Sequence, residues 1–517
     1  MTRDAFRPAG FATLQGILAS VHKFGDVAWV AGSMAAVGLA VLLAIKSPTV
    51  AVAVFGVIVW VVVAKLRPAW MFHLTLVTAF LAVPAFVPKT IPTPVGGLFI
   101  FEPFLLGCVV VGLFKKGDRL VPRSLLVFIA ASALAFFIGI YNQTPSVPRI
   151  ADIRPLIDVV LGVVAGANIL NFTSLKTLIR TTKWILWISL GMTLAGSFGV
   201  LDLVGRSEVA SLVGDTTGAD RLITPATYFA LAVACGVIAA MVTAKASART
   251  ILSLATPAFA IIFLSFSRNN ILALCVAFAW ALIAAGPASR KVAGVGKLLF
   301  IALIGGVAIT ALMTLFDIPW LQEQLDGFGS RVLGGLSADA IQADGSAQFR
   351  VGENDQILPV IGTSPFWGLG FGAAYKDPYG PIDYFTSTTA PYYAHNYYYW
   401  LMLKGGVVAL AAFALLVLRP VFAVLGANRP RLAVTSAVLL AFLVVSTVAP
   451  MPNGFPTGLL FGLLVGLAHR FTSDAPMTQP VMSVKKVNKS LPAWAAKPHG
   501  FPSQRDPALD RPKASHS

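Results

Sequence analysis

Charge is scarce in this chain. Asp, Glu, Lys and Arg make up only 12% of its 517 residues, about half the density of an ordinary soluble domain. That excludes a water-soluble globule, and 57% hydrophobic residues with a mean hydropathy of +0.79 assign the chain to a bilayer. Cysteine is nearly absent. Cys108, Cys235 and Cys275 fall in apolar runs, where a thiol acts as a small hydrophobe, so no disulfide framework or paired-cysteine metal site is expected. Walker motifs, a Gly-rich dinucleotide loop after a strand and HExxH are also missing, so no nucleotide, metal or cofactor chemistry is expected. No internal repeat stands out, which weighs against two-halved transporter folds. Histidine is rare, with six in the whole chain.

What is present is a series of apolar runs, each long enough to cross roughly 30 Å of hydrocarbon. They begin near Val27, Val50, Ala69, Gly97, Ser124, Ile153, Trp184, Leu222, Thr250, Asn270, Leu298, His395, Leu432 and Phe455. The expected fold is an all-α polytopic membrane protein of about fourteen spans (twelve to fourteen), with one large extracytoplasmic loop containing short helices. With the N-terminus in the cytoplasm, alternation puts most of the 39 basic residues on the cytoplasmic side, as the positive-inside rule requires. The chain then divides into a cytoplasmic N-terminus (1–26), eleven spans (27–316), the large loop (317–394), three spans (395–470) and a disordered basic cytoplasmic tail (471–517). The net charge of +17 follows from insertion and from attraction to anionic membrane lipids, and implies no nucleic acid.

The large loop is where a water-phase function must lie. Eight of the ten tyrosines fall between Tyr375 and Tyr399, and nine of the 22 acidic residues between Asp317 and Asp383. Ala347 to Ile361 reads as a short helix ended by Ser364-Pro365. Ser364 to Gly372 (SPFWGLGFG) then offers three alternate glycines, suited to a tight turn with backbone exposed to a ligand. The loop enters the next span through Ala394 to Lys404 (AHNYYYWLMLK), where His395, Asn396 and Tyr397 stand at the boundary between water and lipid. His395 is the foremost catalytic candidate. The tyrosines serve equally well as an aromatic belt at the headgroups.

Arginines near spans demand a reason, because each costs on the order of 2.5 to 3.5 kcal/mol to insert. Arg154, Arg221, Arg268 and Arg350 all fall on the outer side. A guanidinium offers a planar fork to phosphate oxygens, and the alternative for each is an interfacial anchor. Arg221 opens the eighth span and Arg268 sits in the turn Ser265 to Asn270. Arg154 with Asp158, and Arg350 with Glu353, are spaced to pair within one helix.

Together these residues resemble the O-antigen ligase and Wzy-type polymerase superfamily over roughly Arg154 to Leu418. Three features carry the resemblance: Arg221-Leu-Ile-Thr-Pro225, the Ser-x-Ser-Arg turn Ser265 to Arg268, and the outer loop running from an Arg-led helix through Pro-Phe-Trp-Gly-Leu-Gly-Phe-Gly to His395-Asn396. It implies a bacterial inner-membrane enzyme that moves a glycan from a polyprenyl diphosphate carrier to a glycan or lipid-glycan acceptor, without a metal. In that scheme Arg221 and Arg268 clamp the diphosphate, Arg350 contacts acceptor or phosphate, and His395 activates the acceptor. Two rivals stay open at this point: a flippase of lipid-linked sugars, and a polymerase using a loop carboxylate among Asp344, Glu353, Asp355, Asp377 and Asp383.

Overall fold

The computed structural model describes residues 58–93, 96–114, 120–209, 220–243, 247–284, 288–316, 318–334, 345–381, 385–425 and 429–473. The expected first span, the start of the second and the basic tail lie outside the described residues. The helices are α1 (Pro68–Phe80), α2 (Phe101–Phe114), α3 (Arg123–Tyr141), α4 (Ser146–Asn168), α5 (Leu175–Ser197), α6 (Pro225–Thr243), α7 (Ala248–Leu264), α8 (Arg268–Ala284), α9 (Ala288–Leu315), α10 (Pro319–Phe328), α11 (Gly345–Thr363), α12 (Phe385–Thr388), α13 (Tyr397–Phe422), α14 (Pro430–Val445) and α15 (Thr457–Ser473). Among the described residues, four are long and apolar enough to cross a membrane: α3, α4 with its 3-10 extension to Asn171, α6 and α13; five more apolar helices are shorter. The molecule is a helical membrane protein.

Its helix starts differ from the sequence expectation where polar residues join the helices. The span expected near Ile153 begins at Ser146, and the one expected near Trp184 begins at Leu175 behind a Ser174 side-chain cap on Thr177 N. The fold is also not wholly helical. Two antiparallel hairpins interrupt it, β1 (Thr90–Thr93) with β2 (Gly96–Phe99), and β3 (Arg206–Val209) with β4 (Asp220–Ile223). The first occupies the expected start of the span near Gly97, because Pro92, Gly96 and Gly97 favour a turn and an edge strand over a helix. The second puts Arg221 on a strand, as the second residue of β4 paired with Glu208, so it does not open a helix.

The bundle is held by close backbone approach. Along α4 and α15, Gly162 and Gly166 face Gly458, Gly462 and Gly466, and an added Cβ at Gly462 or Gly466 would collide with the carbonyls of Val159 or Val163. Small residues bring helices together where apolar burial from water gives no drive. A buried aromatic row, Tyr397, Phe413 and Phe461, fills the space beside them with ring centroids 5.1 and 5.8 Å apart.

The Gly-rich segment after α11 has a different role from the one its glycines suggest. It is inserted into the bundle, not opened to a ligand. Leu369 N donates to Leu403 O (2.8 Å), Gly370 N to Lys404 O (2.9 Å), Phe371 N to Ala135 O (3.1 Å) and Val407 N to Pro365 O (2.9 Å). Helix α13 opens to receive it at Gly406, whose φ is +62°. Gly370 (φ +90°) lies so close to Gly139 of α3 that no side chain fits. Behind it, Lys404 Nζ lies 2.8 Å from Asp152 Oδ2 and donates to Ala373 O at 2.6 Å, while Gly372 N donates to the same carboxylate oxygen at 2.7 Å. A fully buried ammonium (Lys404 is 0% exposed) thus has a counter-ion and a carbonyl, as burial demands.

Candidate active site

A cavity of about 610 Å³ lies where the ends of α6, α8 and α15 meet the long segment between α9 and α13. Arg221, Arg268, Arg331, Arg350 and His395 all line it. Among its described lining residues there is no carboxylate.

Local structure explains how each arginine arrives. Arg221 Nε donates to Ser265 O at 3.1 Å, which ties the β3–β4 hairpin to the α7–α8 turn. Within that turn Asn270 Nδ2 donates to Ser265 Oγ at 2.8 Å, and Phe266 takes a φ of +42°. A non-glycine residue there is strained and needs packing to hold it. The packing comes from the segment after α10: Phe266 is buried with Val332 against Phe328, and Phe328 stacks on Phe263 at 4.9 Å. The same contacts set Arg268, at the start of α8, near Arg331, in the π-helical turn Gly329–Leu333. Arg350 comes from α11, which spans Gly345–Thr363 and so contains the expected Ala347–Ile361 helix. Burial pushes its guanidinium pKa down; Tyr393 and Glu353 oppose this, and the like charge of Arg268 adds to it.

His395 stands at the wall, fixed by a partner 42 residues earlier. Its Nδ1 is 2.6 Å from Glu353 Oε2, and its backbone N donates to the same oxygen at 3.3 Å. Glu353 is only 3% exposed. Its other oxygen accepts from the Tyr375 hydroxyl (3.2 Å) and lies 3.8 Å from Lys376 Nζ. Tyr393 and Phe349 meet the imidazole edge to face, with centroids 5.1 and 5.9 Å away. Burial, and then the Glu353 charge, push the Tyr375 phenol pKa up, so it stays a donor. A carboxylate at Nδ1 fixes the tautomer with hydrogen on that nitrogen and leaves Nε2 as the acceptor. This is the base-and-orienter logic of acyl-transfer triads, on an unrelated fold.

Not every sequence candidate reaches the cavity. Arg154 lies outside its lining. It forks onto Glu102 (Nε to Oε1 3.1 Å, Nη2 to Oε2 2.9 Å) and is sandwiched between Phe99 and Phe455 at 5.2 and 5.0 Å. The expected Arg154–Asp158 pair does not form, since Glu102 from α2 offers the guanidinium both oxygens. Asn396 caps α13, its Oδ1 accepting from Tyr398 N and Tyr399 N. Tyr397 is buried, stacked on Trp400 at 5.7 Å. The expected Arg350–Glu353 pair yields to Glu353–His395. Sequence reasoning missed Arg331 and the role of Glu353; the acidic residue three positions after Arg350 was visible, but its partner lay far along the chain.

The fold and this cavity define a helical membrane protein with a basic, histidine-bearing pocket. Residues 250–414 match the family model described as O-Antigen ligase, which supports the resemblance to the O-antigen ligase and Wzy superfamily over that stretch. The matched stretch contains Arg268, Arg331, Arg350, Glu353 and His395; Arg221 precedes it. No curated protein matches the chain.

Proposed function

We propose that this protein transfers a glycan from a polyprenyl diphosphate carrier to an acceptor hydroxyl at the outer face of a bacterial inner membrane, with its termini in the cytoplasm and about fourteen spans in the bilayer. The observation that carries the proposal is the convergence of four arginines and the Glu353-oriented His395 on one cavity.

The chemistry suits those side chains. His395 Nε2 takes the acceptor proton as the acceptor oxygen bonds to the anomeric carbon from the face opposite the leaving group. The bond from that carbon to the phosphate oxygen breaks, the configuration inverts, and polyprenyl diphosphate departs with the electron pair. Diphosphate needs charge neutralisation more than protonation, and guanidinium forks at the cavity wall give it that. A positioned base contributes about 10²- to 10⁴-fold to such a step. Arg221, tied through the Ser265 carbonyl to the turn that leads into Arg268, forms the diphosphate clamp with it; Arg350 and Arg331 line the same cavity from the loop.

Glu353 fits poorly as a direct base, because it does not line the cavity and its Oε2 is held by His395. The test is Arg268→Lys, made at normal protein level in the native membrane. Loss of surface polymer is expected, because an ammonium lacks the bidentate fork. Near-normal polymer would make Arg268 an interfacial anchor and remove the clamp.

A further inference from the structure

The carboxylate that orients His395 has a second charged neighbour. Lys376 Nζ lies 3.8 Å from Glu353 Oε1, the oxygen that does not bind the imidazole. Three rings surround that ammonium: Phe349 at 4.9 Å, Tyr375 at 5.0 Å and Tyr379 at 5.8 Å. Ring faces attract a cation and hold the lysine in place. We propose that Lys376 is a positioning residue that sets the proton affinity of the His395–Glu353 pair, and so the pH at which the base becomes available. The proposal rests on His395 being the base.

The physical reason is charge balance in a poorly solvated place. Proton uptake by the pair removes the base, because a base that already holds its proton cannot accept one from an acceptor. A cation on the far oxygen opposes that uptake. Other charged and titratable groups surround the pair: Arg350 on α11, Arg268 on α8, Tyr228 on α6, and Tyr375, Tyr379 and Tyr393 in the loop. Among the described residues, Lys376 and His395 are the two basic side chains in ion-pair contact with Glu353. Burial lowers the Lys376 pKa while Glu353 raises it. Because the groups are coupled, the measurable quantity is the proton affinity of the pair, wherever the proton sits.

Removing the lysine charge should raise the midpoint of that protonation by about one pH unit, a tenfold gain in proton affinity. The experiment uses the purified full-length protein and diethyl pyrocarbonate, which reacts with neutral imidazole, following the His395 peptide by mass spectrometry across the neutral pH range. For Lys376→Met the midpoint should move to higher pH; Lys376→Gln, which keeps a polar end among the rings, should shift it likewise. Lys376→Arg should leave it where it is in the unaltered protein. An unmoved midpoint in Met and Gln variants whose melting curves match the parent would overturn the proposal. The assay does not read glycan transfer. A shifted midpoint with full surface polymer in His395→Ala removes the base and keeps the tuning; an unshifted midpoint with an inactive His395→Ala does the reverse.

Discussion

His395 and Glu353, 42 residues apart in sequence, meet through a 2.6 Å contact between Nδ1 and Oε2. The contact links α11 to the residue just before α13, and it orients the boundary histidine that is proposed as the base. Glu353→Gln keeps the shape and removes the charge that fixes the tautomer. Transfer should fall by about 10²- to 10⁴-fold while the protein stays inserted, measured as polymer formed per copy of protein. A loss under about threefold would show that the carboxylate merely packs.

Lys404 and Asp152 give a prediction about stability. Breaking a buried pair from one side typically costs about 3 to 5 kcal/mol, because the other charge is left uncompensated. Lys404→Met should therefore unfold in detergent well below the parent temperature, and Lys404→Met with Asp152→Leu should recover part of the loss. Equal melting curves for the single variant and the parent would contradict the buried pair.

The inserted Gly-rich segment yields a steric prediction. At Gly370 any side chain meets the backbone of Gly139, and φ is +90°. Gly370→Ala should sharply lower the amount of folded protein, whereas Gly362→Ala, where a Cβ meets open space at the end of α11, should be tolerated. If both glycines behave alike in a fluorescence size-exclusion assay, the insertion is wrong.

These cases show what the sequence could and could not reveal. The α11 helix was legible because its apolar positions and its Ser364-Pro365 stop are local signals. His395 stood out because it is the rare histidine at a loop end. The glycines of Ser364 to Gly372 misled, since a glycine that frees backbone for a ligand and one that lets two backbones touch look alike in one dimension. Arg154 misled for a related reason. Its i,i+4 spacing to Asp158 was visible, while Glu102, on another helix, was not. The hairpins were hidden by apolar runs that read as helix starts.

Arg331 and Arg154 separate cavity lining from scaffold. Arg331→Ala should lower transfer per folded molecule, since Arg331 lines the cavity. Arg154→Ala should do the opposite, with transfer per folded molecule retained and stability reduced by about 1 to 3 kcal/mol through the lost fork and ring stack. A melting loss at Arg331 with unchanged transfer per molecule would exchange their roles.

The most direct test is the lipid-linked glycan pool and the finished surface polymer in cells carrying His395→Ala at normal protein level. The account predicts that polyprenyl diphosphate glycan accumulates facing outward and that polymer is lost. Single repeat units in that pool would mark a polymerase, and long chains a ligase. Unchanged polymer would contradict the account by removing its base, and glycan trapped facing the cytoplasm would contradict it by making the protein a flippase.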